Sequence, residues 1–511
     1  MNRQDMLKAL VAKGDQEWDF CIIGGGATGL GVAVDAASRG FSTILVEQYD
    51  FAKGTSSRAT KLVHGGVRYL QQGNIKLVTE ALHERGILRR NAPHLVKDQS
   101  FIVPNYKWWE GPYYGLGLKV YDWMAGELGL GKSKWLSREE TLEQAPTLDA
   151  EGLRGGVLYH DGQFDDARLA INLAQTAASH GAVLLNYFRM DELLKKDGII
   201  KGIRATDEAD GAGGQSYEIM AKVVINATGV FTDNILQMDQ PGSETVIAPS
   251  QGVHIILDKD FLPGEAAILV PHTDDGRVLF AVPWHDKIIV GTTDTPVSVA
   301  TIEPRALPEE VDFILQQIGR YLRKVPDRGD IRSVFAGLRP LVKSSSKKTA
   351  ELARDHLILV ADSGLITITG GKWTTYRRMA EDTVNTAIQR SGLPVRPCVT
   401  DTLAIHGSGG EGEAAIRALT ATRPEWGMQL HPRLPYLQAD IIRGVREELC
   451  MTVEDALSRR TRSLLLDARA AIECAPVVAE LLATELGHGR DWQVRQTEVF
   501  GELAKGYLAT V

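Results

Sequence analysis

The first strong pattern in the chain is an apolar run, followed by glycines and then by a helix of small residues. Residues 20–23 predict a buried strand, 24–29 form a glycine-rich turn, and 30–39 predict a helix that ends at Gly40. A second apolar strand at 42–47 ends on an acidic residue. This β-α-β order is typical of folds that bind a dinucleotide.

Each glycine of the turn has its own role in such a fold. Gly24 allows the tight turn, Gly26 lets the backbone approach a pyrophosphate, and Gly29 allows the helix to pack closely on the strand. The helix N-terminus supplies amide donors and a positive dipole end to the phosphates. Glu47, which ends the second strand, can accept hydrogen bonds from the adenosine ribose. A 2′-phosphate would be repelled there, which disfavours NADP.

The chain returns to this nucleotide domain twice. Residues 221–229 predict a strand that runs into a turn of small residues. Residues 357–361 predict another apolar strand, which leads through 365–371 into a predicted helix that begins at Lys372. Amide donors in a Gly-Gly turn before that helix would stabilise the negative charge that a flavin gains on reduction. We therefore predict FAD as the cofactor.

The other segments predict two further units. Short strands with turns between them indicate a mainly antiparallel sheet that carries the substrate site. After a linker rich in Pro and Gly, apolar positions at helical spacing predict an all-helical C-terminal domain. The predicted strands cover 253–257, 267–271, 278–283 and 287–291, and the predicted helices cover 414–419, 438–449, 453–457 and 468–486. The predicted fold class is therefore α/β, with a Rossmann-type FAD-binding domain interrupted by an antiparallel-sheet substrate domain, plus the helical C-terminal domain.

This interpretation divides the chain into six segments. The FAD-binding domain takes three of them, and one segment each goes to a helical, aromatic-rich insertion, to the substrate sheet and to the C-terminal helices. In chain order they are 1–75 (FAD), 76–150 (insertion), 151–245 (FAD), 246–345 (substrate sheet), 346–392 (FAD) and 393–511 (helical domain).

Composition narrows the class of protein. The 511 residues are 44% hydrophobic and carry a formal net charge of −8, which fits a large globular core and argues against nucleic acid as a partner. The four cysteines are widely spaced, so neither a disulfide framework nor a metal site is expected. The sequence contains no apolar run of about 18 residues, so no membrane-crossing helix is expected. Apolar residues within 6–11 share one helical face, which predicts a short helix docked on the fold or, alternatively, lying on a membrane surface.

Six motifs follow one another in a defined order along the chain. They are Gly-Gly-Gly-Ala-Thr-Gly-Leu-Gly at 24–31, Gly-Thr-Ser-Ser at 54–57, Lys-Leu-Val-His-Gly-Gly-Val-Arg-Tyr-Leu at 61–70, Asn-Ala-Thr-Gly-Val at 226–230, Phe-Ala-Gly-Leu-Arg-Pro-Leu at 335–341 and Gly-Gly-Lys-Trp-Thr-Thr-Tyr-Arg at 370–377. Together they resemble the FAD-dependent, aerobic, quinone-linked glycerol-3-phosphate dehydrogenase family over nearly the whole chain. Two local departures are Trp373, where leucine is more usual, and the aromatic density at 108–123.

The resemblance implies an activity, an electron acceptor and a location. The substrate would be sn-glycerol 3-phosphate, oxidised to dihydroxyacetone phosphate, and the electrons would pass from FAD to a membrane quinone. The protein would attach peripherally to the cytoplasmic face of the cell membrane, and we expect a homodimer. The alternatives are an oxidase that passes electrons to oxygen and releases peroxide, a flavin-binding protein without turnover, and an amine oxidase on the same fold.

The chemistry of this substrate selects the candidate catalytic and substrate-binding residues. A phosphate dianion suits arginine, whose guanidinium binds two oxygens at once, so Arg68, Arg339 and Arg354 are candidates for phosphate binding or substrate orientation. His254 lies in an apolar strand and is our candidate base, because histidine ordinarily titrates near neutral pH. Lys372 can stabilise negative charge on the substrate oxygen or the flavin. Each arginine could instead be a surface charge, and His254 a core histidine.

Further polar residues are predicted to contact the cofactor. They lie in the loop after the second strand, in the segment that would pass the isoalloxazine, and at the two returns to the nucleotide domain: Thr55, Ser56, Ser57, Lys61, His64, Thr228, Gly229, Gly371 and Thr374. The alternative for the first group is a solvated Ser- and Thr-rich loop. The aromatic residues at 108–123 predict an interfacial patch where quinone arrives, or alternatively core packing or a subunit contact.

Overall fold

The structure is a computed structural model, and it describes residues 1–14, 16–66, 74–209, 214–343 and 356–509. Two predicted substrate-binding residues, Arg68 and Arg354, lie outside the described residues.

The strands form two large sheets. In chain order they are β1 (Trp18–Ile23), β2 (Thr43–Val46), β3 (Leu62–Val63), β4 (Lys97–Asn105), β5 (Lys134–Leu136), β6 (Gly155–Gln163), β7 (Val183–Leu185), β8 (Phe188–Lys196), β9 (Ile199–Asp207), β10 (Ser216–Asn226), β11 (Ile247–Asp258), β12 (Ala267–Val270), β13 (Leu279–Trp284), β14 (Lys287–Gly291), β15 (Thr295–Pro296), β16 (Ser333–Val342), β17 (His356–Val360) and β18 (Ile366–Gly370).

The α-helices cover the sheets and build the C-terminal domain. They are α1 (Arg3–Lys13), α2 (Ala27–Ser38), α3 (Ile75–Asn91), α4 (Glu110–Ala125), α5 (Arg138–Gln144), α6 (Asp166–Ser179), α7 (Thr232–Asp239), α8 (Pro308–Gly319), α9 (Tyr376–Ser391), α10 (Glu411–Thr422), α11 (Gln438–Glu448), α12 (Val453–Asp455), α13 (Ser463–Leu466), α14 (Ala468–Leu486) and α15 (Arg490–Lys505). Single 3₁₀ turns cover Thr55–Ser57, Gly126–Leu128, Gly229–Phe231, Lys259–Phe261, Arg328–Asp330, Trp373–Thr375 and Pro424–Gly427, and a π-helical turn covers Ala456–Arg460.

The first sheet is the predicted nucleotide-binding sheet. Its strand order is β17-β18-β10-β1-β2-β7, and β8 and β9 form a meander with the first half of β10. The strands from β18 to β7 are parallel, as a βαβ crossover requires, and β1 pairs with β10 on one side and β2 on the other. Helices α2, α6 and α9 pack together on one face around a core of aliphatic and small residues. The Rossmann-type class is thereby confirmed.

The second sheet has ten strands and holds the predicted substrate domain. Strands β11, β13, β14 and β16 are antiparallel neighbours, as the sequence predicts for 246–345. The predicted boundaries need correction, however, because β4 and β6 also belong to this sheet: β4 pairs in parallel with β12 and antiparallel with β6. Segment 76–150 is therefore not only helical, and the start of 151–245 lies in the substrate sheet. Pairing between strands so distant in the chain leaves no local periodicity to detect.

The C-terminal domain is all-helical, as predicted, and packs on the nucleotide-binding domain through buried charges. Helix α14 covers the predicted range 468–486. Between the domains, Asp50 of the loop after β2 bonds to Arg459 and Arg460, and all three side chains are buried. At the other end of the chain α1 docks on the first sheet through the buried Leu10, which supports docking rather than a membrane-surface role for this helix.

Candidate functional site

Two cavities lie on either side of strand β16. We call the first the nucleotide cavity, because the β1–α2 turn, the end of β2 and the turn after β18 line it. Its volume is about 560 Å³. We call the second the arginine cavity, of about 820 Å³, because Arg277 and Arg339 lie in its wall. Strand β16 borders both: the neighbouring residues Arg339 and Pro340 line the arginine cavity and the nucleotide cavity respectively, as expected where successive side chains point to opposite faces.

The glycine-rich turn leaves no room for side chains, as the sequence predicts. A Cβ on Gly29 would lie 1.9 Å from the Gly24 carbonyl oxygen, so this glycine sets the close contact between α2 and the turn. Gly24 itself has φ of +109°, a conformation that favours glycine. Gly26 is the N-cap of α2 and lines the nucleotide cavity, where its bare backbone can approach a ligand.

Glu47 lies in the nucleotide cavity at the end of β2, where a dinucleotide ribose is expected. Its carboxylate accepts hydrogen bonds from the backbone N–H of Gly25 at 2.6 Å and of Tyr49 at 2.9 Å. Burial raises the pKa of Glu47 above its ordinary value, whereas the two backbone donors act in the opposite direction. The carboxylate is thus fixed in place by the turn, with its acceptor lone pairs available to a ribose hydroxyl.

The Gly-Thr-Ser-Ser loop joins the two sheets. Thr55 donates from its hydroxyl to the Leu338 carbonyl oxygen on β16 at 2.5 Å. The Ser56 hydroxyl accepts from the Ala27 backbone N–H at 2.9 Å, at the start of α2. Trp373, the residue that departs from the family pattern, donates from its indole N–H to the Ser56 carbonyl oxygen at 3.0 Å. This loop therefore contacts the start of α2, strand β16 and the turn after β18.

The two later returns of the chain also line the nucleotide cavity. Thr228 and Gly229 line the nucleotide cavity after β10, and the turn Gly370-Gly371 lines it after β18. Both glycines of that turn have positive φ, 78° and 66°, and a Cβ on Gly371 would lie 2.3 Å from the Met379 sulfur. Lys372 follows directly and also lines the cavity.

These residues fit FAD. The glycine turn at the N-terminus of α2 provides a pyrophosphate site, and Glu47 provides an acceptor for the adenosine ribose. Ser56 and Thr228 place hydroxyls along the same cavity, and the Gly370-Gly371 turn places backbone amides beside Lys372, where the reactive ring would end.

Four predicted cofactor residues lie elsewhere. Gly29 packs within α2, and Ser57, Lys61 and Thr374 are buried and line neither cavity. Lys61 is ion-paired with Asp166 at 2.7 Å, and burial lowers the pKa of Lys61 to about 8. Ser57 contributes its carbonyl oxygen to the same lysine, and the Thr374 hydroxyl accepts from the His64 backbone N–H at 3.3 Å. These side chains hold the cofactor-binding loops in place and do not reach the cavity. Of the other predicted cofactor residues, His64 lines the arginine cavity and the rest line the nucleotide cavity. Direct contact with the cofactor stays a prediction.

The arginine cavity combines one polar end with a large apolar remainder. Aromatic and aliphatic side chains from β4, α4, β6 and β13 form most of its wall. The polar end consists of Arg277, Thr292, Thr293, Asp294 and Arg339. Of these only Arg339 was predicted from the sequence. The sequence gives little indication of the other four residues. Arg277, for example, follows the segment Asp274-Asp275-Gly276, which predicts only a turn between two strands.

Arg339 is held at the polar end by several acceptors. It bonds to Asp294 Oδ1 at 3.1 Å, to the Thr293 carbonyl oxygen at 2.9 Å and to the Thr292 hydroxyl at 3.2 Å. Its side chain retains one quarter of its exposure. The guanidinium is therefore fixed in orientation while its positive charge faces the cavity.

The two candidate histidines differ in access. His64 lines the arginine cavity, beside Phe280. His254 is buried on β11, lines neither cavity and stacks on Phe335 with ring centroids 4.8 Å apart. Its Nε2 lies 2.9 Å from the hydroxyl of Thr60, which does line the arginine cavity. Burial, with the charges of Lys61 and Arg339, lowers the pKa of His254 well below its ordinary value. A role for His254 as the base stays a prediction, and the structure gives it access only behind Thr60.

Comparison with known proteins agrees with this geometry. The family model of FAD dependent oxidoreductases matches residues 19–377, and that of the C-terminal domain of alpha-glycerophosphate oxidase matches residues 366–493. The mitochondrial glycerol-3-phosphate dehydrogenase of Homo sapiens is 41% identical, over 98% of this chain and 74% of the relative. The solved glycerol-3-phosphate dehydrogenase of Bacillus halodurans, complexed with FAD, is 29% identical with a TM-score of 0.79, covering 99% of this chain and 98% of its own.

A more distant solved structure shares the fold alone. The FAD-bound L-alpha-glycerophosphate oxidase of Mycoplasma pneumoniae is 17% identical with a TM-score of 0.57, covering 73% of this chain and 95% of its own.

Proposed function

Because this chain belongs to the FAD-dependent glycerol-3-phosphate dehydrogenase family, we propose that it oxidises sn-glycerol 3-phosphate to dihydroxyacetone phosphate. The observation that carries the proposal is the placement of Arg339 and Pro340 on β16, one residue in each cavity. A substrate phosphate held by Arg339 would lie next to the end of the nucleotide cavity where the reactive part of FAD is expected. When bound, FAD supplies the acceptor for the hydride that leaves C2 of the substrate.

The chain's own residues bind the substrate and move its proton. Arg339 holds the phosphate, and Lys372 neutralises negative charge that develops on the substrate oxygen. The hydroxyl proton passes to a histidine. His64 has the more direct path because its side chain lines the cavity, whereas His254 would receive the proton only through the Thr60 hydroxyl.

We further propose that the electron acceptor is a membrane quinone that enters through the apolar part of the arginine cavity. Residues Trp109, Tyr113, Leu116 and Val120 of the helix α4 region line this cavity and are also exposed at the surface. With Trp108 and Trp123, which are 77% and 82% exposed, they form what we call the aromatic face. An apolar, aromatic path of this kind suits a quinone ring and its hydrocarbon tail.

The aromatic face also supports peripheral attachment to a membrane. Exposed aromatic side chains are favoured at the membrane interface, and the exposed lysines Lys107, Lys119, Lys132 and Lys134 lie close to them in the chain. Within the described ranges, no helix is both long and apolar enough to cross a membrane. Attachment to the cytoplasmic face of the cell membrane, and a homodimeric state, follow from the family resemblance and belong to the proposal.

Flavin bleaching tests the substrate. Under anaerobic conditions we expect sn-glycerol 3-phosphate to reduce the bound flavin, and glycerol and other unphosphorylated polyols to do so far more slowly. Equal rates with glycerol would overturn the phosphate assignment, and a flavin that stays oxidised with every substrate would favour the non-catalytic alternative.

The acceptor needs a separate experiment. With substrate in air and no added acceptor, we expect little peroxide, and we expect rapid turnover once a soluble quinone is supplied. Stoichiometric peroxide at the full turnover rate would instead identify an oxidase.

Vesicle binding tests the aromatic face. Trp108→Glu combined with Trp123→Glu should reduce sedimentation with anionic vesicles, because each change places a charge where an aromatic ring would enter the interface. Substitution of the exposed Val395, which lies far from this face in the chain, by Glu is the control. Unchanged binding of the double variant would exclude this surface.

A further inference from the structure

We propose that Arg277 is a second phosphate-binding residue that works with Arg339, and that Asp294 is a positioning residue that holds the two guanidinium groups side by side. This inference rests on the proposed function. It concerns how the chain selects a phosphorylated polyol over the free one.

Arg277 is presented by a tightly bonded turn between β12 and β13. Its backbone N–H donates to the Thr273 hydroxyl oxygen at 3.0 Å, and the Thr273 hydroxyl donates to the Arg277 carbonyl oxygen at 2.8 Å. Its side chain lies in the wall of the arginine cavity and is 21% exposed. A turn fixed in this way leaves the Arg277 backbone little conformational freedom to lose on binding.

Asp294 connects the two arginines. Its Oδ2 lies 3.2 Å from Arg277 Nη1, and its Oδ1 lies 3.1 Å from Arg339 Nη1. The Asp294 carbonyl oxygen accepts a further bond from Arg277 at 2.9 Å, and the Ser250 hydroxyl also bonds to the carboxylate. The carboxylate is 8% exposed. Because each oxygen of one buried carboxylate contacts a different guanidinium, the two cations are held next to each other.

The charge of this cluster suits a phosphate monoester. Arg277, Arg339 and Asp294 together carry a net charge of +1 at one end of the cavity. The other carboxylate in the cavity wall, Asp161, is paired with Arg85 at 2.7 Å. Within the described part of the chain, no lysine or arginine other than Arg277 and Arg339 lines the arginine cavity. A doubly charged phosphate brought into such surroundings requires more than one cation, and paired guanidiniums can contact several of its oxygens together. The free polyol has no group that would use the second arginine.

The alternative is that Arg277 only stabilises its own turn, since its Nε lies 3.4 Å from Asp275.

The variant Arg277→Met distinguishes phosphate binding from this structural role. We expect the KM for sn-glycerol 3-phosphate and the inhibition constant for inorganic phosphate each to rise about ten- to hundredfold, the range for loss of a charge-assisted hydrogen bond. The value of kcat/KM with glycerol should stay within about twofold, because glycerol has no phosphate. Arg277→Lys, which keeps the charge and loses the planar fork, should give intermediate values.

Arg320→Met is the matched control. Arg320 bonds to Asp274 in the same turn at 2.6 Å but is 45% exposed and does not line the cavity, so its removal should leave all three constants unchanged. Flavin content and thermal stability show whether each variant folds. If Arg277→Met loses its flavin, the comparison of Arg277→Lys with wild type decides the question by the same constants.

The outcomes separate this inference from the proposed function. A wild-type protein whose flavin sn-glycerol 3-phosphate does not reduce would overturn the proposed function itself. A wild type that is reduced normally, with an Arg277→Met variant of unchanged KM and unchanged phosphate inhibition, would overturn only the role of Arg277. Equal losses with glycerol and with its phosphate ester would show that the residue is structural.

Discussion

The two cavities on either side of β16 differ in whether backbone or side chains form most of their walls. The nucleotide cavity is shaped mainly by backbone: glycines at its turns, helix α2 beginning at its edge, and hydroxyls that bond to the main chain. The arginine cavity is shaped by side chains that arrive from strands far apart in sequence. A cavity wall made of closely packed backbone fixes the shape of the ligand and has no room for added atoms. A wall made of side chains can supply charge and can transfer protons. Damage to the first should therefore release the cofactor, and damage to the second should slow the reaction with the cofactor still bound.

The largest expected effect lies in the arginine cavity and concerns the proton. His64→Asn should lower the rate of anaerobic flavin reduction about 1000-fold, the middle of the range for loss of a general base. The matched variant is His254→Asn, for which we expect a much smaller loss because that ring lies behind Thr60. Stopped-flow bleaching measures both rates, and the flavin content should be unchanged. A larger loss for His254→Asn than for His64→Asn would restore the buried histidine as the base.

The pH dependence distinguishes the same two residues. The pKa of His254 is held well below its ordinary value of about 6.5 by burial and by two nearby cations. If His254 is the base, the rate should therefore begin to fall only at a pH below the ordinary titration range of histidine. The effect on stability has a definite sign. Below a pH of about 6.5, His254 binds a proton in the unfolded chain but stays neutral in the folded protein. Falling pH therefore lowers the free energy of unfolding through this residue. His254→Asn should flatten the pH dependence of unfolding in that window.

Removal of the phosphate cation comes next in size. Arg339→Met should lower kcat/KM for sn-glycerol 3-phosphate about 100-fold, because the buried Asp294 loses one of its two arginine partners and the substrate loses a cation. The flavin should stay bound, since Arg339 lies on the arginine-cavity side of β16. Arg332→Met is the control, because Arg332 precedes the same strand and pairs with the half-buried Asp258. Loss of flavin from Arg339→Met alone would show that the two cavities do not separate function in this way.

Sequence reasoning succeeds where a structure is encoded locally. The turn around Gly24, the acid Glu47 and helix α14 each follow from a short stretch of chain, and the structure contains all three. The resemblance adds Arg339, because its motif is contiguous. By contrast Arg277 and Asp294 become neighbours only through the pairing of strands in the second sheet, and β4 joins that sheet across more than 160 residues of chain. No periodicity records such contacts. Lys61 occupies a conspicuous motif position, and the structure places it in a buried ion pair that no local pattern indicates.

The nucleotide cavity should respond to added atoms. Gly29→Ala places a Cβ 1.9 Å from the Gly24 carbonyl oxygen, so α2 must move away from the turn. We expect about 2 kcal/mol of destabilisation, in the range for overpacking, and FAD affinity about thirtyfold weaker. Gly501→Ala, in a helix where a Cβ meets nothing within 4 Å, should be neutral or slightly stabilising. Flavin retention on gel filtration and thermal unfolding measure both effects, and unchanged flavin content in Gly29→Ala would contradict the packing argument.

The smallest expected effect tests the point at which the loops of the nucleotide cavity are joined. Trp373→Phe keeps an aromatic ring between Phe164 and Tyr376 but removes the indole N–H that bonds to the Ser56 carbonyl oxygen. A single hydrogen bond of this kind contributes about 1 kcal/mol, so the dissociation constant for FAD should rise about fivefold while the rate of flavin reduction stays unchanged. Trp135→Phe removes a similar indole bond, to the Gly111 carbonyl oxygen at 3.2 Å, at a position that lines neither cavity, and FAD affinity should not change. A fall in reduction rate in Trp373→Phe, with normal FAD affinity, would mean that the indole acts on the reaction in addition to the fold. The division between a cavity that holds the cofactor and a cavity that performs the chemistry would then not extend to the turn after β18.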